Sequence, residues 1–431
     1  MSLNMRKDFY TVFYYFYIMY VKEVIARKIK DSRKDDTIEV EVTTDDGKFV
    51  ASSPSGKSKG KYEAKAFSYK GIDFSITVIN EIGKKLSEGI SFNEFNDLIK
   101  VERIVRKFDK SQNFEIIGAN ALYALEAALL KAIAASYNQA LWKFLCEKPK
   151  FFPKPLGNCI GGGKHVKQET KTDFQEFLLM PKTKHFFDGY FINLQAYKFA
   201  KKLLLEQDMR YEGKLTDENA LAATLPNEEV LEILQRVKEI IREKFNITLL
   251  LGIDLAASSF WYNGYYWYKN KKMKLDKQKQ ISYIIELVKK YKLSYIEDPL
   301  YEEDFSGFAQ LIREFNKWNL QCLVTGDDLT ATQFHRVEKA IRERCISALI
   351  VKPNQNGSLI ETKKIIDYVK DNNIVPILSH RSGETLDNTL AHLAVGWQIP
   401  IIKTGILGKE RFAKLHEILK IEREISNPSR N

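Results

Sequence analysis

Cysteine is scarce in this chain, and no apolar stretch is long. The four cysteines among 431 residues, Cys146, Cys159, Cys322 and Cys345, include no CxxC pair. That spacing excludes a disulfide framework and a cysteine-built zinc site, and it suits a reducing, cytoplasmic setting. The aromatic run from Phe9 to Val21 is too short to span a bilayer, so no membrane span is expected. No small-residue cleavage site follows it, which argues against a signal peptide and leaves an extra strand or a tail. There is no Arg-rich block, no aromatic nucleic-acid motif and no internal repeat. The formal charge of +11, from 67 basic against 56 acidic residues, therefore reads as a lysine-rich compositional habit. No clear nucleic-acid site is expected. Cys322 lies in an apolar run and is expected to be a buried core thiol.

What is present divides the chain in two, as its length requires. Residues 1–21 form an amino-terminal extension in which Met1-Ser-Leu resembles a tag remnant. Residues 22–148 read as an α+β capping domain: alternating segments from Val21 to Ser53, turning at Asp45-Asp46-Gly47, predict an antiparallel meander. A Ser/Gly/Lys loop follows from Ser52 to Lys61. Helical periodicity then covers Ile72–Leu86, Ser91–Arg106 and Asn120–Leu145. Three prolines between Pro149 and Pro155 mark the boundary. Residues 149–425 alternate strand and helix, and 426–431 are a tail expected to fray.

Six short apolar runs in the second part each lead into one ionisable residue. They end at Asp254, Glu297, Asp327, Lys352, His380 and Lys403. Runs this short, separated by helical segments, read as strands buried on both faces of an α/β barrel. The carboxyl ends of such strands open on one face, where catalysis takes place. Asp254, Glu297 and Asp327 would then crowd together. Three carboxylates in a partly dry cleft demand a cation or large pKa shifts, and hard oxygen donors suit Mg²⁺. The competing reading is that each acid caps the following helix. Arg381 and Ser382 read as an anion clamp, a forked guanidinium beside a hydroxyl. Lys352 could act as a base only if burial or neighbouring positive charge lowered its pKa.

At this point the chain resembles enolase. The matching stretches include Asp31-Ser-Arg, Pro54-Ser-Gly, Ile117-Gly-Ala-Asn-Ala, Gln175-Glu-Phe, Gly252-Ile-Asp-Leu-Ala-Ala-Ser, Ile296-Glu-Asp-Pro, Gly326-Asp-Asp-Leu-Thr, Val351-Lys-Pro-Asn-Gln, Ser379-His-Arg-Ser-Gly-Glu-Thr and Ile402-Lys-Thr-Gly, in family order. The resemblance implies an enolase-type modified TIM barrel behind the α+β domain, a cytoplasmic homodimer, and glycolytic interconversion of 2-phosphoglycerate and phosphoenolpyruvate. It implies two Mg²⁺ per site, one held by Asp254, Glu297 and Asp327, the second reached by Ser58 once substrate binds. Lys352 would remove the C2 proton, and Glu176 with Glu218 would assist hydroxide loss. His165, His380, Arg381, Ser382 and Lys403 would contact substrate. A catalytically weakened relative that binds surface or nucleic-acid partners is the alternative.

Several stretches depart from that family. The lid reads Pro54-Ser-Gly-Lys-Ser-Lys-Gly, adding Lys57 and Lys59. Glu218 lies in Thr216-Asp-Glu-Asn-Ala instead of a glycine-rich loop, so a solvated loop acid is the alternative there. The loop after His165 is rewritten and longer by about two residues, within ordinary loop tolerance. These changes surround the expected site and spare its reactive residues.

Overall fold

The computed structural model describes residues 18–57, 60–166 and 171–426. Ser58, the aromatic run up to Tyr17 and the tail beyond Ser426 lie outside the described residues. At the edge of that run, Met19–Tyr20 pairs antiparallel with Ser91–Phe92, and Met19 and Val21 are buried.

The first layer is an antiparallel meander of β1 (Glu23–Lys30), β2 (Asp36–Thr44) and β3 (Gly47–Ser52). Its alternation sends Ile38, Val40 and Val42 inward against helices α1 (Ile72–Leu86) and α3 (Ala119–Ser136), on which α2 (Leu98–Phe108) packs in turn. The helix expected over Asn120–Leu145 is in fact two, because the chain breaks after Ser136. Asn138 takes a left-handed φ of 58°, which asparagine tolerates, before a short helix at Leu141–Leu145. The expected Ser91–Arg106 helix likewise starts only at Leu98. Ser91–Phe92 is drawn instead into the small sheet with Met19–Tyr20.

The second layer is a closed barrel of β4 (Lys154–Gly161), β5 (Glu176–Pro181), β6 (Leu249–Asp254), β7 (Tyr295–Glu297), β8 (Leu323–Gly326), β9 (Ala348–Val351), β10 (Val375–Ser379) and β11 (Ile401–Lys403). Parallel pairing of β11 with β4, Lys403 opposite Leu156, closes it. Strand β5 runs against both neighbours. Inside, Leu156, Leu178, Met180, Tyr295, Ala348, Ile350, Ile377 and Ile401 fill the lumen. Each such buried aliphatic side chain contributes about 1.5–3 kcal/mol. Cys322 packs against the core but is not fully buried as expected. It precedes β8, where the strand has not yet entered the sheet, and is half-buried.

The first domain docks across the barrel mouth. Ser55 and Gly383 exchange both backbone hydrogen bonds, at 2.7 and 2.9 Å, and the Ser32 N–H donates to the Glu384 carbonyl at 2.8 Å. Lys131 of α3 reaches Asp387 at 2.8 Å.

Against the outer helices, His392 lies 3.5 Å from Glu417 with its other ring nitrogen unpartnered among the described residues. Burial outweighs Glu417 and pushes His392 down to about 4 from the ordinary 6.5. Between those values the unfolded chain binds the extra proton, so stability falls as pH drops through that window. His392→Gln is expected to flatten this part of the pH–stability curve, read as Tm between about pH 6.5 and 4. An unchanged slope would show that His392 is not responsible.

Candidate active site

The barrel register brings the ionisable strand ends together. Asp254 is opposite Glu297 across the β6–β7 pair, and Ser379 is opposite Lys403 across β10–β11. The reversed strand supplies the missing quadrant. Because β5 is antiparallel, its first residue, Glu176, lies at the same rim as its neighbour's last, in register with Asp254. His165, Glu176, Glu218, Asp254, Asp327, Lys352, His380, Arg381, Ser382 and Lys403 all line one narrow cavity. Glu297 is fully buried behind it, touching Lys403. Of the expected residues only Ser58 falls outside the described residues.

One side of the cavity is a carboxylate cradle. The Lys403 ammonium is 2.8 Å from Glu297, 2.9 Å from Glu176 and 3.4 Å from Asp254. Burial pulls Lys403 down, but these three acids hold it well above its ordinary value. Glu297, which also accepts from the Tyr295 hydroxyl, is pushed up to about 8 by burial and Asp254. Asp327 pairs with Lys352 through one oxygen, while its other oxygen is buried without a hydrogen-bond partner among the described residues. Burial would raise Asp327, yet Lys352 holds it below the usual range. Reciprocally, Asp327 keeps Lys352 above its ordinary value although burial opposes it. The protein groups alone do not supply the lowering that a base here requires, because the nearest charge is a carboxylate; bound cations would have to add it.

Glu176 also pairs with Glu218, and His165 closes this second group, with donor atoms of all three within 4.8 Å of one another. Their environments push the two carboxyls apart. Burial holds Glu176 well above the usual range. Burial acts on Glu218 too, but His165, His380, Arg411 and Lys403 overcome it and hold Glu218 well below. Asn158 fixes Glu218 with a 3.1 Å hydrogen bond. Burial also pushes His380 well down, against the pull of Glu218.

At the rim, Nη2 of Arg381 donates to both carboxylate oxygens of Glu63, at 2.8 and 3.1 Å, and Nη1 donates to Asn354 at 3.2 Å. Ser382 accepts from the Lys57 backbone at 2.8 Å and from Arg33 at 3.0 Å. Fully buried Arg411 holds this loop by donating to the carbonyls of Arg381 and Ser382. A Cβ on Gly56 would lie 1.9 Å from the Arg381 guanidinium, so only glycine allows the lid so close. The cavity left between these groups is about 40 Å³, and a phospho-acid enters only if the ion pairs part.

Sequence reasoning missed Glu63, Arg33, Asn354, Asn158 and Asp298. Asp298 accepts the backbone N–H groups of Asp327, at 3.0 Å, and Asp328, at 2.6 Å, and so aims Asp327. Its position in Ile296-Glu-Asp-Pro beside a strand-end acid was a usable signal. Arg33 stood in the matching stretch Asp31-Ser-Arg, whereas Glu63, which also arrives from the other domain, offered none.

The carboxylate cradle fits a hard divalent cation. Its donors are all oxygens, one buried oxygen is unpartnered, and an ammonium already occupies the focus of the negative field. Fold and site define a two-domain barrel enzyme whose acid–base groups converge at the strand ends.

Comparison with known proteins carries this further. The family model described as "Enolase, N-terminal domain" matches residues 21–145, and that described as "Enolase, C-terminal TIM barrel domain" matches residues 149–430. An enolase of Methanosphaera stadtmanae is 39% identical over 413 residues, covering 95% of this chain and 98% of that protein. The enolases of Archaeoglobus fulgidus and Methanothermobacter thermautotrophicus are 37% and 36% identical, covering 95% and 94% of this chain and 99% and 97% of theirs. The chain belongs to the enolase family and is an enzyme of that family, a phosphopyruvate hydratase among the carbon–oxygen lyases.

Proposed function

We propose that this chain interconverts 2-phosphoglycerate and phosphoenolpyruvate with Mg²⁺ bound, by stepwise loss of the C2 proton and the C3 hydroxyl. The observation that carries the reading is the shared cavity, which Lys352, the carboxylate cradle and the Glu176–Glu218 pair all line or adjoin. Asp254, Glu297 and Asp327 would hold the ion, Ser58 would reach a second one, and the bound charge would stabilise the dianion made when C2 is deprotonated.

The side chains do the remaining work. Lys352 takes the C2 proton, for which it must first release its own proton and its hold on Asp327. The C–H electrons enter the carboxylate and then form the C2–C3 double bond as hydroxide leaves C3. Glu176 is the carboxyl kept protonated, and it donates so that the hydroxide departs as water. Glu218 stays ionised and orients the leaving group with His165. Arg381 and Ser382 clamp the phosphate once Glu63 yields the guanidinium, while Lys403 and His380 face the substrate's negative charge.

The departures from the family bear on the lid. Lys57 reaches Asp217, next to Glu218, at 3.3 Å, so the two rewritten loops are tied to each other. We also propose a cytoplasmic homodimer, the placement drawn from the four free cysteines and the assembly from the family. Among the described residues no helix is long and apolar enough to cross a membrane.

The test is phosphoenolpyruvate formation followed by ultraviolet absorbance, before chelation, after it, and after Mg²⁺ is restored. Activity should vanish with chelator and return with the ion. Turnover indifferent to chelation would refute the metal-assisted reading.

A further inference from the structure

Glu218 stands in a turn that holds no glycine, where the family has a glycine-rich loop, and it still lines the cavity. The stretch Thr216-Asp-Glu-Asn-Ala closes on itself. The Asn219 N–H donates to the Thr216 carbonyl at 3.1 Å, and the Thr216 N–H to the Ala220 carbonyl at 2.8 Å. Side chains then supply what glycine would have supplied. Asn219 takes the left-handed conformation at φ 64°, which asparagine tolerates better than most residues. The Thr216 hydroxyl accepts the N–H groups of Glu218 and Ala220, both at 3.2 Å, and so fixes the peptides on either side of the acid.

The turn is also held from outside. Tyr197, on the helix Phe186–Gln207, donates its hydroxyl to the Asn219 carbonyl at 3.0 Å. A Cβ on Gly161, at the end of β4, would lie 2.6 Å from the Thr216 methyl, and one on Gly408 would lie 2.3 Å from the Asn219 amide. The loop is thus keyed between two glycines of the barrel. Beyond it Leu221–Ala222 runs parallel to β4, with Leu221 opposite Ile160. Tyr197 and Thr216 are both buried, and neither lines the cavity. Asn158 aims the Glu218 carboxylate, but these two hydroxyls decide where its backbone stands.

We propose that Thr216 and Tyr197 are positioning residues for the loss of the C3 hydroxyl, acting through Glu218 in place of a glycine-built turn. The inference rests on the role given to Glu218 above. A displacement of about 1 Å in such a group costs up to roughly a hundredfold in rate.

The test measures phosphoenolpyruvate formation and exchange of the C2 hydrogen in D₂O, on the full chain with Mg²⁺. Thr216→Val and Tyr197→Phe remove the hydroxyls while keeping the methyl and the ring. Each is expected to lower kcat for dehydration roughly tenfold with exchange unchanged. Thr216→Ser keeps the acceptor and should retain the original kcat. In a Glu218→Gln background the same two substitutions should cost about twofold at most, because the carboxylate they position is gone. An equal tenfold loss in both backgrounds would reduce the hydroxyls to general structural support and overturn the proposal. Unchanged dehydration in Thr216→Val and Tyr197→Phe, with Glu218→Gln impaired, would overturn the positioning alone. Unimpaired dehydration in Glu218→Gln itself would overturn the role of Glu218 and the proposal with it.

Discussion

Lys352→Ala is expected to lose roughly 10⁴-fold in turnover, the upper end of what a positioned general base supplies. Lys352 follows the fully buried strand β9 and faces the cavity, so no water-borne base replaces it easily. Removing it also leaves Asp327 buried without its partner, which costs stability and complicates the alanine result. Lys352→Arg separates the two effects. It keeps a cation beside Asp327 but cannot give up its proton near neutral pH, so it should fold normally and be equally inactive. The decisive readout is exchange of the substrate's C2 hydrogen with solvent in D₂O, followed by NMR. Both variants should abolish it. Exchange surviving in Lys352→Arg would mean that the lysine supplies charge only, and that another group takes the proton.

Glu176→Gln and Glu218→Gln should give the complementary result. Each is expected to lose roughly 10²–10⁴-fold in dehydration while C2 exchange continues, since the leaving-group step is impaired and the proton step is not. The argument rests on opposed environments. Burial pushes Glu176 up against the pull of Lys403, whereas His165, His380, Arg411 and Lys403 pull Glu218 down. Glu176→Gln removes the donor itself. Glu218→Gln removes the charge that gathers the two histidines, so its loss should include weaker substrate orientation and a raised KM. If either variant lost exchange together with dehydration, the two-sided division of labour would fail.

Much of this site was readable before any coordinates, for a physical reason. A parallel barrel converts "last residue of a short apolar run" into "residue at the mouth", so Asp254, Glu297, Lys352 and Lys403 were marked by position alone. Glu176 was not marked in that way. It opens a strand, and the rule that reads strand ends would place it on the far face; only the reversal of β5 returns it to the rim. Asp31-Ser-Arg and Pro54-Ser-Gly were legible as motifs, but the Arg33 contact to Ser382 and the Ser55 bridge to Gly383 require the docked domains. Long-range side-chain pairing leaves no local period. The pairing of Lys352 with Asp327 was hidden for the same reason, since it joins residues from two separate strand ends.

The reversed strand also bears on how this enzyme can vary. Since β4 ends and β5 begins at the same rim, with Gly161 opposite Glu176, the chain leaves the barrel and re-enters it on one side. Residues added or lost there change the entrance without shifting a rung of the sheet. That freedom lets the segment after His165 diverge while Glu176 keeps its rung opposite Asp254.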